Sequence, residues 1–194
     1  MPPRRIRFIG RTLSLVAARL PWLWPVLRPL VRRFWDRMAQ GWDTRISAER
    51  TTALADGLAH AGRPRRILEV GTGTGSGAVL VAERFPDAEL TGVDLSPEMV
   101  RRARARLPHA RFAAADAAAL PFPDASFDLV VQLNVPVYWR ELKRVLAPDG
   151  LVLIASTFGP ATPYYTPHAL LRRRFTEVAT GRAGPGDWFI GRPS

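Results

Sequence analysis

The sequence contains no cysteine, which removes disulfides, thiolate metal sites and cysteine nucleophiles together. It contains one lysine, Lys143, so the Gly-Lys-Ser/Thr of a phosphate-binding loop cannot be written anywhere. Its three histidines, His60, His109 and His168, have no metal-ligand spacing, and no metal is expected. There is no internal repeat. There is also no uninterrupted run of about 20 apolar residues of the kind that crosses a bilayer. Before Asp36 there is not a single acid, against eight arginines.

That last imbalance is local. The chain carries a net charge of +11, but residues 1–66 hold 14 arginines and 4 acids while the remainder is nearly neutral. A local basic excess suggests a surface that meets phosphates, on lipid or on nucleic acid. Within it, Ile6, Ile9, Leu13, Val16 and Leu20 recur at spacings of three and four, and Arg4, Arg7 and Arg11 fall on the opposite helical face. Pro21 stops that pattern, and the aromatic stretch 22–31 is broken by Pro25 and Pro29. A secretory signal would want an unbroken apolar core and a small-residue cleavage site, and Val16-Ala-Ala18 followed by Arg19 is a poor one. Residues 1–33 therefore read as a basic, amphipathic and aromatic arm. It either lies on an anionic membrane surface or covers the domain formed by residues 34–194.

Hydrophobic residues make up 47% of the chain, enough for a packed core. The pattern over 34–43 is helical, and Ser47 is a plausible N-cap for a helix ending at Gly62. Strands and helices then alternate at βαβ spacing. Strands are expected at 66–70, 89–93, 111–113, 127–131 and 151–155, with helices at 76–85, after Ser96, at 138–146 and at 167–174. The turn Pro148-Asp-Gly150 leads into the fifth strand, and two last strands near 176–180 and 187–190 form a hairpin across the Gly/Pro-rich joint. The fold class is α/β: a Rossmann-like, seven-stranded, mostly parallel sheet with helices on both faces and an N-terminal helical arm.

The chemistry sits at strand ends. Glu69-Val-Gly-Thr-Gly-Thr-Gly75 is a glycine-rich turn between strand and helix, with an acid two positions before its first glycine. Such a turn lets backbone approach a ligand closely. A dinucleotide fingerprint would need a third glycine at Ser76. Asp94 ends the second strand, where a carboxylate can accept both hydroxyls of a ribose. Asp116 ends the third, near where an adenine would lie.

These residues resemble the class I, Rossmann-like S-adenosylmethionine (SAM)-dependent methyltransferases of the small-molecule, methyltransferase-11 type, from about Phe34 to Arg192. The glycine turn resembles the family's first motif, and Gly92-Val-Asp-Leu-Ser-Pro-Glu-Met99 its ribose-binding motif. Asp116 with Leu120-Pro-Phe-Pro123 and Ser126-Phe-Asp-Leu-Val130 resembles the adenine end and fourth strand, and Arg144-Val-Leu-Ala-Pro-Asp-Gly150 the turn into the fifth. The resemblance implies a cofactor, SAM, held by Glu69, Gly71, Thr72, Gly73, Gly75, Asp94, Leu95, Met99, Asp116, Ala117 and Gln132. In it the glycines run beside the methionine moiety and Glu69 holds its amino group. Asp94 takes the ribose, Leu95 and Met99 flank the adenine, and Asp116 with Ala117 meets its polar edge. Trp42-Asp43 resembles the aromatic-acid pair that closes over SAM in the family, and Gln132 faces the methionine side. The segment after the fourth strand, Gln132-Leu-Asn-Val-Pro-Val-Tyr138, is shorter than the family's usual one.

The implied function is methyl transfer from SAM to a small apolar, aromatic or lipid-like acceptor. The alternatives are a SAM-binding regulatory or inactive homologue, and an RNA methyltransferase using the basic arm. The arm's apolar face argues against nucleic acid as partner and for a membrane surface, so a cytoplasmic protein, peripheral at the inner membrane face, is expected. No Asp-His or Glu-His pair names a general base. Asn134 and Tyr138 are the candidates for orienting an acceptor.

Overall fold

In the computed structural model, residues 21–43 and 48–194 are described. The arm's first amphipathic pattern, from Ile6 to Leu20, and the Ser47 cap lie outside the described residues.

A seven-stranded sheet runs in the order β3-β2-β1-β4-β5-β7-β6. Its strands are β1 (Arg66–Val70), β2 (Glu89–Asp94), β3 (Arg111–Ala114), β4 (Phe127–Leu133), β5 (Leu146–Ser156), β6 (Phe175–Ala183) and β7 (Gly186–Pro193). The first five are parallel, while β7 pairs antiparallel with both β5 and β6. Both faces are covered, as a parallel sheet requires. Ile67, Leu129, Val131 and Leu153 face one core together with Leu54, Val81 and Trp188. Leu68, Val70, Val130 and Val152 face the other with Leu142, Phe175 and Phe189. The alternation within β1, Ile67 to one side and Leu68 to the other, is the two-residue period of a strand.

The helices are α1 (Trp24–Ala39), α2 (Thr52–Leu58), α3 (Ser76–Arg84), α4 (Pro97–Arg106), α5 (Trp139–Val145) and α6 (His168–Leu171). As its sequence promises, α4 is capped by Ser96, whose Oγ accepts from the Met99 N–H at 3.1 Å, with Pro97 in its first turn.

Two expectations are corrected. Pro25 and Pro29 do not break the aromatic stretch; α1 runs through both. Pro25 lies in the first turn, where the missing N–H would have no partner anyway. Pro29 lies one turn later and forfeits one hydrogen bond, to the carbonyl of Pro25, which packing of the inner face outweighs. The division between an arm ending at residue 33 and a domain starting at 34 falls inside this helix. Secondly, β5 begins at Leu146, and 147–150 form an excursion within it: Phe127 pairs Leu146 but Leu129 pairs Leu151. The Pro148-Asp-Gly150 turn is thus a bulge of the strand rather than its start. No helix among the described residues is long and apolar enough to cross a membrane.

Candidate active site

Strand order reverses between β1 and β4, and in open α/β sheets the crevice beyond the carboxyl ends at that point receives ligands. A cavity of about 680 Å³ opens there. It is built from the turn after β1, the ends of β2 and β3, the segments after β4 and β5, and α1 laid across the top.

Glu69 is buried at the end of β1 and takes a hydrogen bond from Thr72 Oγ1. Burial pushes its carboxyl up to about 8. The turn that follows is fastened to β2, since the Gly71 and Thr72 N–H groups both donate to Val93 O, at 2.7 and 2.9 Å. Gly73 adopts φ +55°, and a Cβ there would meet only Trp42 Nε1, at 3.6 Å. Its bare backbone therefore leaves open cavity beneath the indole. Asp94 Oδ2 accepts from Gly73 N and its Oδ1 from Ser96 N, each at 2.9 Å. A carboxylate offers about four lone-pair sites, so Asp94 keeps acceptor capacity for a ligand. Burial raises Asp94 to about 6, against the backbone N–H groups of Ser96, Gly73 and Leu95, which favour the charged form.

Of the eleven residues expected to hold a cofactor, nine line this cavity: Glu69, Gly71, Thr72, Gly73, Asp94, Leu95, Met99, Asp116 and Ala117. Two do not. Gly75, expected beside the methionine moiety, packs instead on α4, where a Cβ would lie 3.1 Å from the Ala103 Cα. Gln132 is buried with neither side-chain N nor O paired among the described residues, and it lies off the cavity wall.

Asn134 and Tyr138 both line the cavity, but differently. Asn134 sits at φ +59° with its amide committed to Thr157: Nδ2 donates to Oγ1 at 2.7 Å and Oδ1 accepts from the backbone N–H at 2.9 Å. It clamps the ends of β4 and β5 together. Tyr138 precedes α5, its ring 6.3 Å from that of Trp24, and its hydroxyl has no partner among the described residues. Burial pushes its phenol well above the usual range.

The lid was the part least visible beforehand. From α1, Val31, Trp35 and Met38 line the cavity, while the Trp24 indole N–H donates to Asp116 Oδ2 at 2.6 Å and Arg28 stands 3.6 Å from the same oxygen. Asp36 Oδ1 accepts from Ser96 Oγ at 2.5 Å. The Trp42-Asp43 pair lies over the glycine turn, with Asp43 accepting from Thr74 Oγ1 at 2.5 Å and pairing Arg106 at 2.8 Å. Of the two readings of the arm, cover and membrane surface, the inner face of α1 is cover.

Residues 67–150 match the family model for a methyltransferase domain. The chain is 40% identical over 149 residues to the malonyl-[acyl-carrier protein] O-methyltransferase of Halorhodospira halophila, covering 70% of this chain and 50% of that protein. It is 39% identical over 153 residues to the demethylmenaquinone methyltransferase of Deinococcus radiodurans, covering 70% of this chain and 62% of that protein. The chain thus spans only about half to three-fifths of these relatives. Among solved structures it is similar to the 1,6-didemethyltoxoflavin-N1-methyltransferase of Burkholderia thailandensis with bound S-adenosylhomocysteine (SAH), at a TM-score of 0.63 and 25% identity over 88% of each chain. The topology, the glycine turn and these likenesses agree, and the chain belongs to the class I SAM-dependent methyltransferases.

Proposed function

We propose that the protein transfers a methyl group from SAM to a small apolar, aromatic or lipid-like acceptor. The observation that carries this reading is the continuity of the cavity. One half offers the glycine turn, Asp94 and Asp116; the other is walled by Trp35, Phe158 and Tyr164. The donor set of the first half fits SAM. The free lone pairs of Asp94 suit two ribose hydroxyls, the bare backbone at Gly73 suits the methionine chain, and Leu95 and Met99 offer apolar faces to an adenine. When bound, SAM supplies a methyl group on a sulfonium that already carries its own activation. The protein holds an acceptor in line and keeps water out, and positioning of this kind supplies much of a rate enhancement. Asp116 Oδ2 is held by Trp24 in this structure, so a nucleobase there shares or displaces that indole. An aromatic-walled half-cavity suits a flat or apolar acceptor.

Incubation with methyl-labelled SAM and cell extracts should yield a labelled, organic-extractable product. Intact SAH binding with no transfer to any acceptor would point to a regulatory homologue. Tyr138, with an unpaired hydroxyl on the cavity wall, is assigned to orient the acceptor. Tyr138→Phe should leave SAH affinity unchanged and lower kcat/KM about 2- to 10-fold, the worth of one neutral hydrogen bond. Unchanged kinetics would leave it as packing for Trp24.

The arm is assigned a second face. Trp22, Val26 and Leu30 are 70, 70 and 61% exposed along one outer stripe of α1 and the turn that leads into it, with Arg33 and Arg37 exposed further along it. Together with the arginines of residues 1–33, this is the composition of a segment that lies on anionic lipid. The full chain should sediment with vesicles containing anionic lipid and be released by salt. Indifference to such vesicles would leave α1 as cover alone.

A further inference from the structure

Trp24, Arg28, Val31 and Trp35 share one stripe of α1, at the four- and three-residue spacings of a helix face. The two ends of that stripe are held differently. Toward the C-terminal end of the helix, Val31 and Ala39 are buried, and Asp36 Oδ1 accepts from Ser96 Oγ at 2.5 Å at the start of α4. In the first turn and the next, the side-chain polar contacts to the domain converge, among the described residues, on one atom, Asp116 Oδ2. The Trp24 indole N–H donates to it at 2.6 Å, and Arg28 Nη1 stands 3.6 Å away. Pro29 lies between the two ends. It has no N–H for the Pro25 carbonyl, so the first turn is tied to the rest of α1 by one backbone hydrogen bond fewer than in an uninterrupted helix. Prolines inside helices are where helices bend. The helix thus has a weak joint between a docked shaft and a turn that ends on Asp116.

What that turn delivers has the chemistry of what the site takes. Indole is a flat, fused bicyclic ring with one N–H in its plane. Adenine is a flat, fused bicyclic ring with amino N–H donors in its plane. Asp116 is the carboxylate assigned to the adenine's polar edge, and it lines the cavity with Leu95, Met99, Ala117 and Trp24 itself. Its Oδ1 already accepts from Ala118 N at 2.9 Å. Oδ2 is therefore the oxygen open to a donor from the cavity, and the indole holds it. An N–H bonded to a carboxylate is roughly twice as strong a hydrogen bond as a neutral pair, so a nucleobase has a firm rival there.

We propose that Trp24 is an intramolecular competitor of the cofactor's adenine. The first turn of α1 plugs the adenine end of the site through Asp116. Loading of SAM swings that turn outward about Pro29, while Val31, Asp36 and Ala39 stay docked. This rests on the SAM-binding reading above. Only molecules with the plug withdrawn bind cofactor at full strength, so the observed affinity is the intrinsic one reduced by their fraction. Arg28 adds a smaller share, because its side chain is 53% exposed and water screens its pairing with Asp116.

The test measures binding of SAH and of 5′-methylthioadenosine to the full chain by calorimetry, in the wild type, Trp24→Ala, Trp24→Phe and Arg28→Gln. Trp24→Phe keeps an aromatic ring beside Tyr138 and removes the N–H. Both Trp24 variants should bind each ligand more tightly than the wild type, on the order of 10-fold, the worth of one hydrogen bond to a charged group. Arg28→Gln should gain less. The two ligands should gain by the same factor, since both carry the adenine. Because the chain has no cysteine, a spin label on Val26→Cys reports on the turn itself. Saturating SAH should change that label's mobility and leave a label on Arg37→Cys, at the docked end, as it was. Equal or weaker binding in Trp24→Phe overturns the proposal, and weaker binding makes the indole a partner of the bound adenine instead of its rival. A Val26→Cys label that does not respond to bound SAH overturns it too. If neither the wild type nor Trp24→Ala binds SAH, the methyltransferase reading itself falls.

Discussion

Asp94→Ala is expected to weaken SAH binding about 5- to 150-fold, which corresponds to roughly 1–3 kcal/mol. Two oxygens of this carboxylate already accept from Gly73 N and Ser96 N, so the side chain arrives at a ligand in a fixed pose. Its unoccupied lone pairs are what a pair of vicinal hydroxyls requires. Removal strands those hydroxyls in a buried site, which costs more than the net worth of the bonds themselves. It also orphans two backbone donors, and the unliganded protein should melt at a lower temperature. Binding of 5′-methylthioadenosine, which keeps the ribose and lacks the amino-acid end, should fall by the same factor as that of SAH. NAD should bind neither protein, since the turn lacks the dinucleotide spacing. Calorimetry showing equal SAH affinity in the two proteins would remove Asp94 from the ribose.

The placement of Asp94 was legible because its signals are local. A glycine-rich turn after an apolar run, an acid at the next strand's end and a Ser-Pro-Glu helix start each declare themselves within about ten residues. The sheet followed from the alternation of apolar runs, and the closing hairpin from its glycines and proline. What the sequence hid is long-range. Trp24 meets Asp116 across 92 positions, and nothing in the periodicity of either segment announces the other. The prolines of α1 read as breakers because their cost is local, whereas the packing of Val31 and Trp35 that overrides it depends on the rest of the molecule. Arg50 stayed hidden for a related reason. In a stretch with 14 arginines, Arg50 lines the cavity and carries no mark in the sequence that separates it from its neighbours. Asn134 shows the reverse case: its position beside the strand end invited a role with the acceptor, and its amide proves to be committed to Thr157.

Glu69 should make the unliganded protein less stable as pH rises from about 5 to 8. Its folded carboxyl is pushed up to about 8 from a usual 4.5, chiefly by burial. Between those values the unfolded chain gives up the proton and the folded protein keeps it. The folded state then binds more protons, so stability falls with rising pH across that window. Asp94, raised to about 6, adds the same sign over the lower part. His168, lowered by burial, opposes it below about pH 6.5. The carboxyls held down by arginines, Glu98, Asp128 and Glu141, contribute stability that is lost only as pH falls below about 4.5, outside the window. The net effect of Glu69 is on the order of a few kcal/mol, or roughly 5–10 °C in melting temperature for a chain of this size. Glu69→Gln cannot ionise, can still accept from Thr72, and should flatten the curve, so that at pH 8 the variant melts above the wild type. Melting curves for the two proteins that run parallel from pH 5 to 8 would refute this account. The same proton gives a second readout. If Glu69 holds the amino group of the bound amino-acid end, it must ionise on binding. SAH binding at pH 7 should then release close to one proton, seen as a dependence of the calorimetric enthalpy on the buffer's ionisation heat. That dependence should vanish in Glu69→Gln together with a large part of the affinity.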